Sequence, residues 1–308
     1  MSLGELHNCT GTPPSTRNPA RTPRQLGENE RPGERAALGL AVRKYSLTVR
    51  IATWNINSVN RRLERVIDWL DQTQTDILCL QETKCSADDF PALLLEGAGY
   101  ASAVAGDGAW NGVAILSKVG LDDVTVGLPN VPEWEGAAEP RAIAATCGGQ
   151  RIWSLYVPNG RTLEHDHYQY KLAWLDQLSA MARNEMEDYP NLALLGDFNV
   201  APTDSDVWDL DVFADSTHIT EQERQRLTDL RNLGMHEVEP RPLKYDRAYT
   251  FWDYRQLAFP KNRGMRIDLV YATQPFADRV TDAYVDREAR KGKGASDHAP
   301  VVVDLDEG

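Results

Sequence analysis

The sequence predicts an α/β protein in which β-sheets pack together and helices cover their outer faces. Strand-like and helix-like hydrophobic patterns alternate from Leu47 to the C-terminus. The chain has 308 residues, enough for a large single core, and its hydrophobic fraction of 42% is ordinary for a globular protein. No apolar run is long enough to span a bilayer, so we expect neither a membrane segment nor a membrane partner.

The individual elements follow from hydrophobic periodicity along the chain. The first strand is predicted at residues 48–54, and a helix follows because apolar residues from Leu63 to Leu70 recur with the spacing of one helical face. Two later helices are predicted at about 164–187 and 220–233. The remaining predicted strands are short apolar segments at residues 76–81, 111–117, 141–147, 151–157, 191–195, 266–272, 280–285 and 299–305.

Residues 1–45 differ in composition from the rest and are predicted to form a disordered extension, which leaves residues 46–308 as the folded domain. Five prolines alternate there with Arg, Thr and Gly, and no aromatic residue precedes Tyr45. Such a segment buries too little apolar surface to offset the entropy of ordering it. Its arginines are compatible with organelle targeting, which its glutamates weaken, and a passive extension or a start codon assigned too far upstream is an equal alternative.

The net charge of −13 is strongly acidic, which by itself argues against a protein that binds nucleic acid. The charge is unevenly distributed, however. Residues 176–240 contain 15 acidic and 4 basic residues, whereas residues 255–293 contain 9 basic and 5 acidic residues. A local basic surface is therefore compatible with the composition.

Cysteine usage and the N-terminus predict a cytoplasmic protein. Cys9, Cys79, Cys85 and Cys147 show no zinc-type spacing, and free thiols in a reducing compartment are the simplest interpretation. The N-terminus has no apolar core of the kind that signal peptides carry.

Polar residues at the ends of apolar strands are the most informative pattern. Strand ends are rigid mounts for the loops that carry function. Each residue alone is commonplace: a Gly-Asp pair before Asn is often a turn, and His298 by itself is more often structural. Their combination, in one order along the chain, is what indicates a site. Its members are Asn55, Asn57, Glu82, Asp197, Asn199, Asp268, Asp297 and His298.

These residue types suit the metal-assisted hydrolysis of a phosphodiester. Carboxylate oxygens such as those of Glu82 are ligands that Mg²⁺ prefers, together with waters and substrate phosphate, and the set contains no cysteine that would indicate structural zinc. An Asp–His pair can hold an imidazole protonated beside a phosphate oxygen. A second carboxylate can orient or deprotonate the attacking water.

The segments that carry these residues resemble the exonuclease III family of apurinic/apyrimidinic (AP) endonucleases, within the wider endonuclease/exonuclease/phosphatase superfamily. The resemblance covers about residues 48–306. The polar residues alone identify only phosphoester hydrolysis, which the whole superfamily shares. Three further segments resemble its DNA-repair branch, namely Tyr156-Val157-Pro158-Asn159-Gly160, Thr250-Phe251-Trp252-Asp253-Tyr254 and Asn262-Arg263-Gly264-Met265-Arg266-Ile267-Asp268.

The resemblance implies a fold, a reaction and a partner. The fold is a four-layered α/β sandwich, with two mixed β-sheets packed face to face and flanked by helices. The reaction is Mg²⁺-dependent cleavage of duplex DNA on the 5′ side of an abasic site, leaving a 3′-hydroxyl, with Mn²⁺ as an alternative metal. Removal of 3′ blocking groups and 3′→5′ exonuclease activity accompany it. The expected partner is duplex DNA with abasic sites or blocked 3′ ends, bound by a monomer in the bacterial cytosol or nucleoid.

The resemblance also implies which residues hold the metal. Glu82 resembles the principal Mg²⁺ ligand, with Asn55 beside it. Asp297 resembles a direct or more distant partner of the metal. The implied metal set is Asn55, Glu82, Asp197, Asn199, Asp297 and His298.

A second implied set acts on the reacting phosphate. Asp197 resembles the group that positions or activates the attacking water, and Asn199 and Tyr156 resemble donors to the phosphoryl oxygens. Asp268 and His298 resemble an orienting pair, with His298 on a phosphate oxygen. The implied catalytic set is Tyr156, Asp197, Asn199, Asp268 and His298.

An aromatic pocket is expected to hold the extruded abasic sugar. Walls formed by Phe251, Trp252, Met265 and Ile267 would exclude a nucleotide that keeps its base, and extrusion costs least where pairing is already lost. The alternative is that the two aromatic residues belong to the core, since buried Trp is common. Other family members carry Trp or Leu where this chain has Met265. The DNA contacts implied beside these walls are Asn159, Arg161 and Arg263.

Basic residues near these segments are candidates for phosphate contacts. They are Arg61, Arg141, Arg161, Lys171, Lys261, Arg263 and Arg266. The run at residues 287–293 adds positive charge just before Asp297, and a DNA contact there competes with a solvated loop as its interpretation. His165 and His167 are interpreted as surface residues.

Two other functions compete with AP cleavage. A phosphodiesterase of another branch, acting on inositol phosphates or sphingolipids, or a nonspecific nuclease would share the polar residues but not the aromatic loop. A catalytically inactive DNA-binding protein would not need the complete set of polar residues.

Overall fold

A computed structural model describes residues 48–307, all within one compact unit. The extension predicted at residues 1–45 lies outside the described residues. The strands are β1 (Thr48–Asn55), β2 (Ile77–Gln81), β3 (Ala101–Ala105), β4 (Val113–Ser117), β5 (Asp122–Val126), β6 (Ala142–Cys147), β7 (Gln150–Tyr156), β8 (Leu192–Asp197), β9 (His236–Glu237), β10 (Arg241–Pro242), β11 (Asp268–Ala272), β12 (Val280–Val285) and β13 (Val301–Asp306). The helices are α1 (Val59–Thr73), α2 (Ala92–Gly97), α3 (Asp166–Asp188), α4 (Leu210–Phe213), α5 (Glu221–Asn232) and α6 (Gln274–Ala277).

The strands form two mixed sheets. The first has seven strands in the order β10-β12-β13-β1-β2-β4-β3, and the second has six in the order β5-β6-β7-β8-β11-β9. In the first sheet β1 runs parallel to β2 and antiparallel to β13. In the second, β7 runs parallel to β8, and β8 runs antiparallel to β11.

The sheets and helices form four layers. The inner faces of the sheets share one core, to which Ile51 and Ile115 contribute from the first sheet and Leu195 from the second. On the outer faces α1 packs against the first sheet and α3 and α5 pack against the second. The predicted four-layered sandwich is confirmed. Within residues 48–307, no helix is both long and apolar enough to cross a bilayer.

Helix α1 illustrates why the sequence folds as predicted. Val59, Val66 and Leu70 lie on one face and are buried, as their helical spacing requires. The helix ends at Gln74, which adopts the left-handed conformation with a φ of 53° and donates its backbone N–H to the Leu70 carbonyl.

The predicted strands and helices are all present, with ends that shift by about two residues at most. The elements that the sequence patterns did not predict are short or lie at sheet edges. Strand β5 is the clearest case, because most of its side chains are exposed and it carries no apolar run. An edge strand that faces solvent gives no hydrophobic signal to detect.

Strand direction brings the polar residues to one rim of the sandwich. Asn55 is the last residue of β1, and Glu82 directly follows the parallel strand β2. In the second sheet Tyr156 and Asp197 end the parallel strands β7 and β8, and they are neighbours in register. Asp268 begins β11 opposite Asp197.

A glycine allows the second sheet to form this rim. Gly196 precedes Asp197 in β8 and has a φ of 156°. A Cβ added there would lie 1.9 Å from the carbonyl oxygen of Leu155 in β7, so any other residue would push the two strands apart.

Candidate active site

Asp197 lies at the centre of the rim, beside Glu82. The side-chain amide of Asn55 donates to Oε1 of Glu82 at 2.8 Å and to Oδ2 of Asp197 at 2.9 Å. His298 closes the group, because ligand atoms of Glu82, Asp197 and His298 all lie within 4.8 Å of one another. Residues from both sheets and from the segment before β13 therefore converge on one point.

A buried carboxylate orients His298. Nδ1 of His298 lies 2.8 Å from Oδ2 of Asp268, and its Nε2 lies 3.8 Å from Oδ2 of Asp197. The side chain of Asp268 is fully buried, and its Oδ1 has no hydrogen-bond partner among residues 48–307. The ring of Phe251 packs on the imidazole with centroids 5.0 Å apart.

Asp268 and Asp197 favour the protonated form of the His298 imidazole. Burial alone would lower the pKa of His298, but Asp268 and then Asp197 outweigh it and raise the pKa to about 10. Burial, followed by the charge of Asp268, raises the pKa of Asp197 to about 7, against the opposing effect of His298. The site thus places a protonated imidazole beside a buried carboxyl group.

Tyr156 supplies a protonated hydroxyl to the same rim. Burial, followed by the negative charge of Glu82, raises the pKa of its hydroxyl well above the ordinary value. The guanidinium of Arg141 lies 4.8 Å from the centre of its ring. Arg141 is itself buried and paired with Glu139 at 2.7 Å, so the prediction that it contacts a substrate phosphate is wrong.

Two predicted carboxamides, Asn159 and Asn199, form the other side of the site together with His218, an imidazole that the sequence patterns did not reveal. Oδ1 of Asn199 accepts from Nδ2 of Asn159 at 3.2 Å. Nε2 of His218 lies 3.2 Å from each of these two atoms. His218 follows no apolar strand, so the pattern that identified the other residues could not reveal it.

The hydrogen bonds of His218 define its state. Its Nδ1 lies 2.5 Å from the carbonyl oxygen of Thr217, which can only accept, so Nδ1 carries the proton. Burial and then the charge of Lys171 lower the pKa of His218 to about 4, so the ring is neutral near pH 7. Its Nε2 is then free to accept from the Asn159 amide.

Asp297 lies outside the group formed by Glu82, Asp197 and His298. Its Oδ1 accepts from Nδ2 of Asn57 at 3.1 Å. Oδ1 of Asn57 accepts from Nζ of Lys84 at 2.7 Å. The same Nζ lies 2.7 Å from Oε2 of Glu82. Asp297 thus reaches Glu82 through two side chains, and Lys84 is a second site residue that the sequence patterns did not reveal.

Of the four residues predicted to line the pocket beside His298, two line it and two do not. A cavity of about 290 Å³ is lined by Phe251 and Met265, as expected. Trp252 instead lies in the core between the sheets, with 1% of its surface exposed, and Ile267 is buried beneath Met265. The core alternative was therefore correct for Trp252. The lining is completed by Trp208, Val212, Phe213, Asp253, Arg255, Gln256, Ala258, Arg263 and Gly264.

Arg263 and Arg161 are both held by aromatic rings at the edge of the site. The guanidinium of Arg263 lies 4.7 Å from the centre of the Trp208 ring. That of Arg161 lies 5.3 Å from the centre of the Trp134 ring, and Arg161 is exposed. Stacking of this kind orients a guanidinium without neutralising it, so both remain available to an anionic ligand.

Several predicted phosphate contacts are structural residues. Lys171 is fully buried against Glu223, and Arg266 is paired with Asp206 at 2.7 Å and with Glu237 at 2.6 Å. These predictions are wrong because the acidic partners lie far away in sequence. Residues 287–293 are partly structural for the same reason, since two of their arginines are buried against aromatic rings. The predicted basic residues that are exposed are Arg61, Arg161 and Lys261, together with Lys291 and Lys293 of the run.

The two histidines at the start of α3 are also structural. His165 caps α3, because its Nδ1 accepts the backbone N–H of His167 at 3.0 Å. His167 is buried rather than exposed, and its Nδ1 accepts from the backbone N–H of Gly160 at 3.2 Å. The prediction that His167 is a surface residue is wrong.

The donor set fits a hard divalent cation. Glu82 and Asp197 offer carboxylate oxygens within one small volume, and the buried Oδ1 of Asp268 has no partner among the described residues. Oxygen ligands and the absence of thiolates at this point match the preference of Mg²⁺ and Mn²⁺. Glu82 and Asp197 are the residues that would hold such an ion.

Comparisons with known proteins agree with this geometry. Residues 52–298 match the Endonuclease/Exonuclease/phosphatase family. Exodeoxyribonuclease III of Haemophilus influenzae is 26% identical over 266 residues, covering 82% of this chain and 98% of its own length. The chain spans 37% of the length of a further relative, Recombination repair protein 1 of Drosophila melanogaster, which is 30% identical over 260 residues.

Three solved structures, of two proteins, are similar over nearly their whole length. The 3′-5′ exonuclease NExo from Neisseria meningitidis is 38% identical with a TM-score of 0.80, covering 84% of this chain and 100% of the other. A second NExo structure, described as a 3′ phosphatase bound to a product DNA hairpin, matches at 37% identity. An AP endonuclease from Archaeoglobus fulgidus is 35% identical with a TM-score of 0.77. The match covers 84% of this chain and 100% of the other. The chain belongs to the endonuclease/exonuclease/phosphatase family, among the exonuclease III-like and AP endonuclease-like nucleases of DNA repair.

Proposed function

We propose that this protein is a Mg²⁺-dependent hydrolase of DNA phosphoesters at damaged sites. The observation that supports it best is the convergence of Glu82, Asp197 and the Asp268–His298 pair at one rim. Such a group combines a metal site, a carboxyl group for the attacking water and a charged donor for phosphate oxygens. When bound by Glu82 and Asp197, the metal supplies positive charge that neutralises the reacting phosphate.

Protein side chains bind the attacking water and the phosphate oxygens. Asp197 orients the attacking water and accepts its proton, from the point where it converges with Glu82 and His298. The imidazolium of His298 donates to a phosphate oxygen, held in that orientation by Asp268. Tyr156 and Asn199 donate to the developing charge from the opposite side.

We propose that internal abasic sites are one substrate. Phe251 and Met265 offer an apolar wall beside His298, where a deoxyribose that has lost its base would fit. The cavity behind this wall is more open than the sequence implies, because Trp252 and Ile267 belong to the core. Arg263 and Arg161 are suited to flanking phosphates.

We propose that blocked 3′ ends are a second substrate. Similarity to NExo, whose structures are described as a 3′-5′ exonuclease and a 3′ phosphatase, supports this activity. His218 supports it as well, since its ring takes up space next to Asn159 and Asn199. A terminal phosphate needs less room there than a continuing strand, so we expect His218 to favour 3′ ends over internal abasic sites.

Matched substrates test the proposal. One duplex is prepared intact, with an internal abasic site, with a nick that carries a 3′-phosphate, and with a recessed 3′ end, each with Mg²⁺ or with chelator. We expect Mg²⁺-dependent products from the damaged duplexes and none from the intact interior. Glu82→Gln should abolish them, whereas Glu96→Gln, on the exposed surface of α2, should not. Cleavage of intact duplex at the abasic rate would instead indicate a nonspecific nuclease.

A further inference from the structure

A buried ion pair lies behind the carboxamides of the site and takes no part in the steps proposed above. Lys171 of α3 contacts Glu223 of α5 through Nζ and Oε1, and neither side chain has any exposed surface. Taking two charges out of water costs free energy that their attraction only partly returns, and an apolar pair would join the two helices at least as well. The hydrogen bonds of the pair indicate a role other than joining the two helices.

The ammonium of Lys171 is bonded to the two loops that carry the carboxamides. Besides Glu223, Nζ donates to the backbone carbonyl of Asn199 at 2.7 Å and to that of Asn159 at 3.3 Å. The three N–H groups of a lysine thus meet three acceptors, and no apolar side chain could replace them. Gly160 packs on the same side chain, since a Cβ added there would lie 3.2 Å from Cδ of Lys171.

The carboxylate of Glu223 is bonded to the loop that carries the imidazole. Oε1 accepts from the backbone N–H of His218 at 3.0 Å. Oε2 accepts from the backbone N–H of Thr220 at 3.0 Å and from its hydroxyl at 2.8 Å, which also fixes the first turn of α5. The charge of Lys171 lowers the pKa of Glu223 despite burial, so the carboxylate stays ionised.

The three loops meet again at the site itself. The side chains of Asn159, Asn199 and His218 contact one another at 3.2 Å, while their backbones are bonded to the pair. Asn199 and His218 have φ angles of 50° and 91°, which non-glycine residues adopt at a cost. Such conformations persist only where the surroundings fix them, and here the surroundings are Lys171 and Glu223.

We propose that Lys171 and Glu223 are positioning residues, which hold Asn159, Asn199 and His218 in the arrangement that receives the phosphate. The inference rests on the proposed function, which assigns Asn199 to the reacting phosphate and places Asn159 and His218 directly beside it. It predicts that the pair affects turnover more than folding or DNA affinity.

A double substitution separates positioning from stability. Lys171→Met alone or Glu223→Leu alone leaves one buried charge unpaired and lowers the melting temperature. The double variant removes both charges, so we expect it to melt above either single variant, and below the wild type because the loop backbones lose their partners. Its kcat for 3′-phosphate removal should stay about 10- to 100-fold low, because misplaced contacts reduce the rate by about that much. Its Kd for the same DNA should change by less than about threefold, since binding relies mainly on phosphate contacts elsewhere.

A second ion pair provides the matched control. Arg151 and Glu185 also join a buried strand position to α3, at 2.8 Å. Arg151 lies at the start of β7, about 17 Å from Tyr156 at its other end. Arg151→Met with Glu185→Leu should therefore leave kcat unchanged. An equal loss of kcat in this control would overturn the positioning role, and so would wild-type kcat in the Lys171/Glu223 double variant.

Two further measurements keep the test decisive. Glu223→Gln retains the shape of the side chain but turns one acceptor into a donor toward Thr220, so it should lower kcat with little change in KM even if the double variant fails to fold. Amide hydrogen exchange reports on the loops without any substrate, and residues 157–161 and 217–220 should exchange faster in both variants. A wild-type protein inert on every DNA substrate would refute the proposed function, whereas unchanged exchange would refute the positioning role.

Discussion

Replacing Asp268 by Asn tests the orienting pair with the smallest change in shape. The substitution keeps the size of the side chain but removes the charge that faces His298. Oδ2 of Asp268 lies 2.8 Å from Nδ1, and the two side chains have 0% and 5% of their surface exposed. Solvent therefore cannot replace the interaction, and its loss should be fully expressed in the rate.

The magnitude follows from the kind of hydrogen bond. A buried bond between charged partners contributes about 1.5–3 kcal/mol. If the imidazolium acts on the phosphate only as charge develops there, this loss appears in kcat as a decrease of about 10- to 150-fold. Ground-state affinity for DNA depends on phosphate contacts over the whole footprint and should change by less than about threefold.

Single-turnover kinetics and equilibrium binding measure the two quantities on the same labelled duplex. Asp282→Asn is the control, because that carboxylate is paired with Arg241 and half-exposed on a strand away from the site. We expect control kinetics to match the wild type. An equal loss of rate and affinity in Asp268→Asn, or an unchanged rate, would refute the assignment of His298 to the reacting phosphate.

Further predictions concern the metal, pH, the extension and salt. Lys84→Gln removes the ammonium that faces Glu82, so Mg²⁺ should bind more tightly in calorimetry without DNA, and weaker binding would contradict the geometry. Burial lowers the pKa of His167 from 6.5 to about 4, so the unfolded chain binds its proton first, and stability is complete above about pH 6.5 and falls toward pH 4. Denaturation of His167→Gln should show a shallower fall. Deleting residues 1–45 should leave cleavage intact in the substrate assay. Affinity should fall with salt by roughly 0.9 log units per decade for each phosphate contact, and a slope beyond about −5 would contradict a small basic footprint.

The part of the site that sequence predicted consists of residues at strand ends. Asn55, Glu82 and Asp197 each follow an apolar run, so the pattern fixes both their element and the rim to which parallel strands deliver them. Asp268 and His298 are bonded to each other, as the family resemblance implied, whereas the strand pattern indicated only that the buried Asp268 needs a partner. The local sequence pattern was sufficient to predict a site residue wherever strand direction alone determined the position of its side chain.

The residues that sequence did not predict depend on contacts between distant segments. Lys171 was interpreted as a phosphate contact because it is basic, but its partner Glu223 lies 52 residues away on another helix. His218 enters the site on a loop whose path depends on that same pair. Trp252 was assigned to the pocket because the loop is aromatic, yet whether a loop residue points inward depends on packing that periodicity does not encode.

The buried pairs also explain how an acidic protein can act on DNA. Much of the basic charge that sequence assigned to phosphates is neutralised inside the fold, by Glu223 for Lys171 and by Asp206 and Glu237 for Arg266. The exposed cations that remain are few, and the net charge of −13 repels the rest of a duplex. Undamaged DNA is then held weakly, since nonspecific binding comes almost entirely from phosphate contacts. Under the proposed function, discrimination therefore arises at the rim itself, where we propose that a damaged strand brings a phosphate to Asp197 and His298.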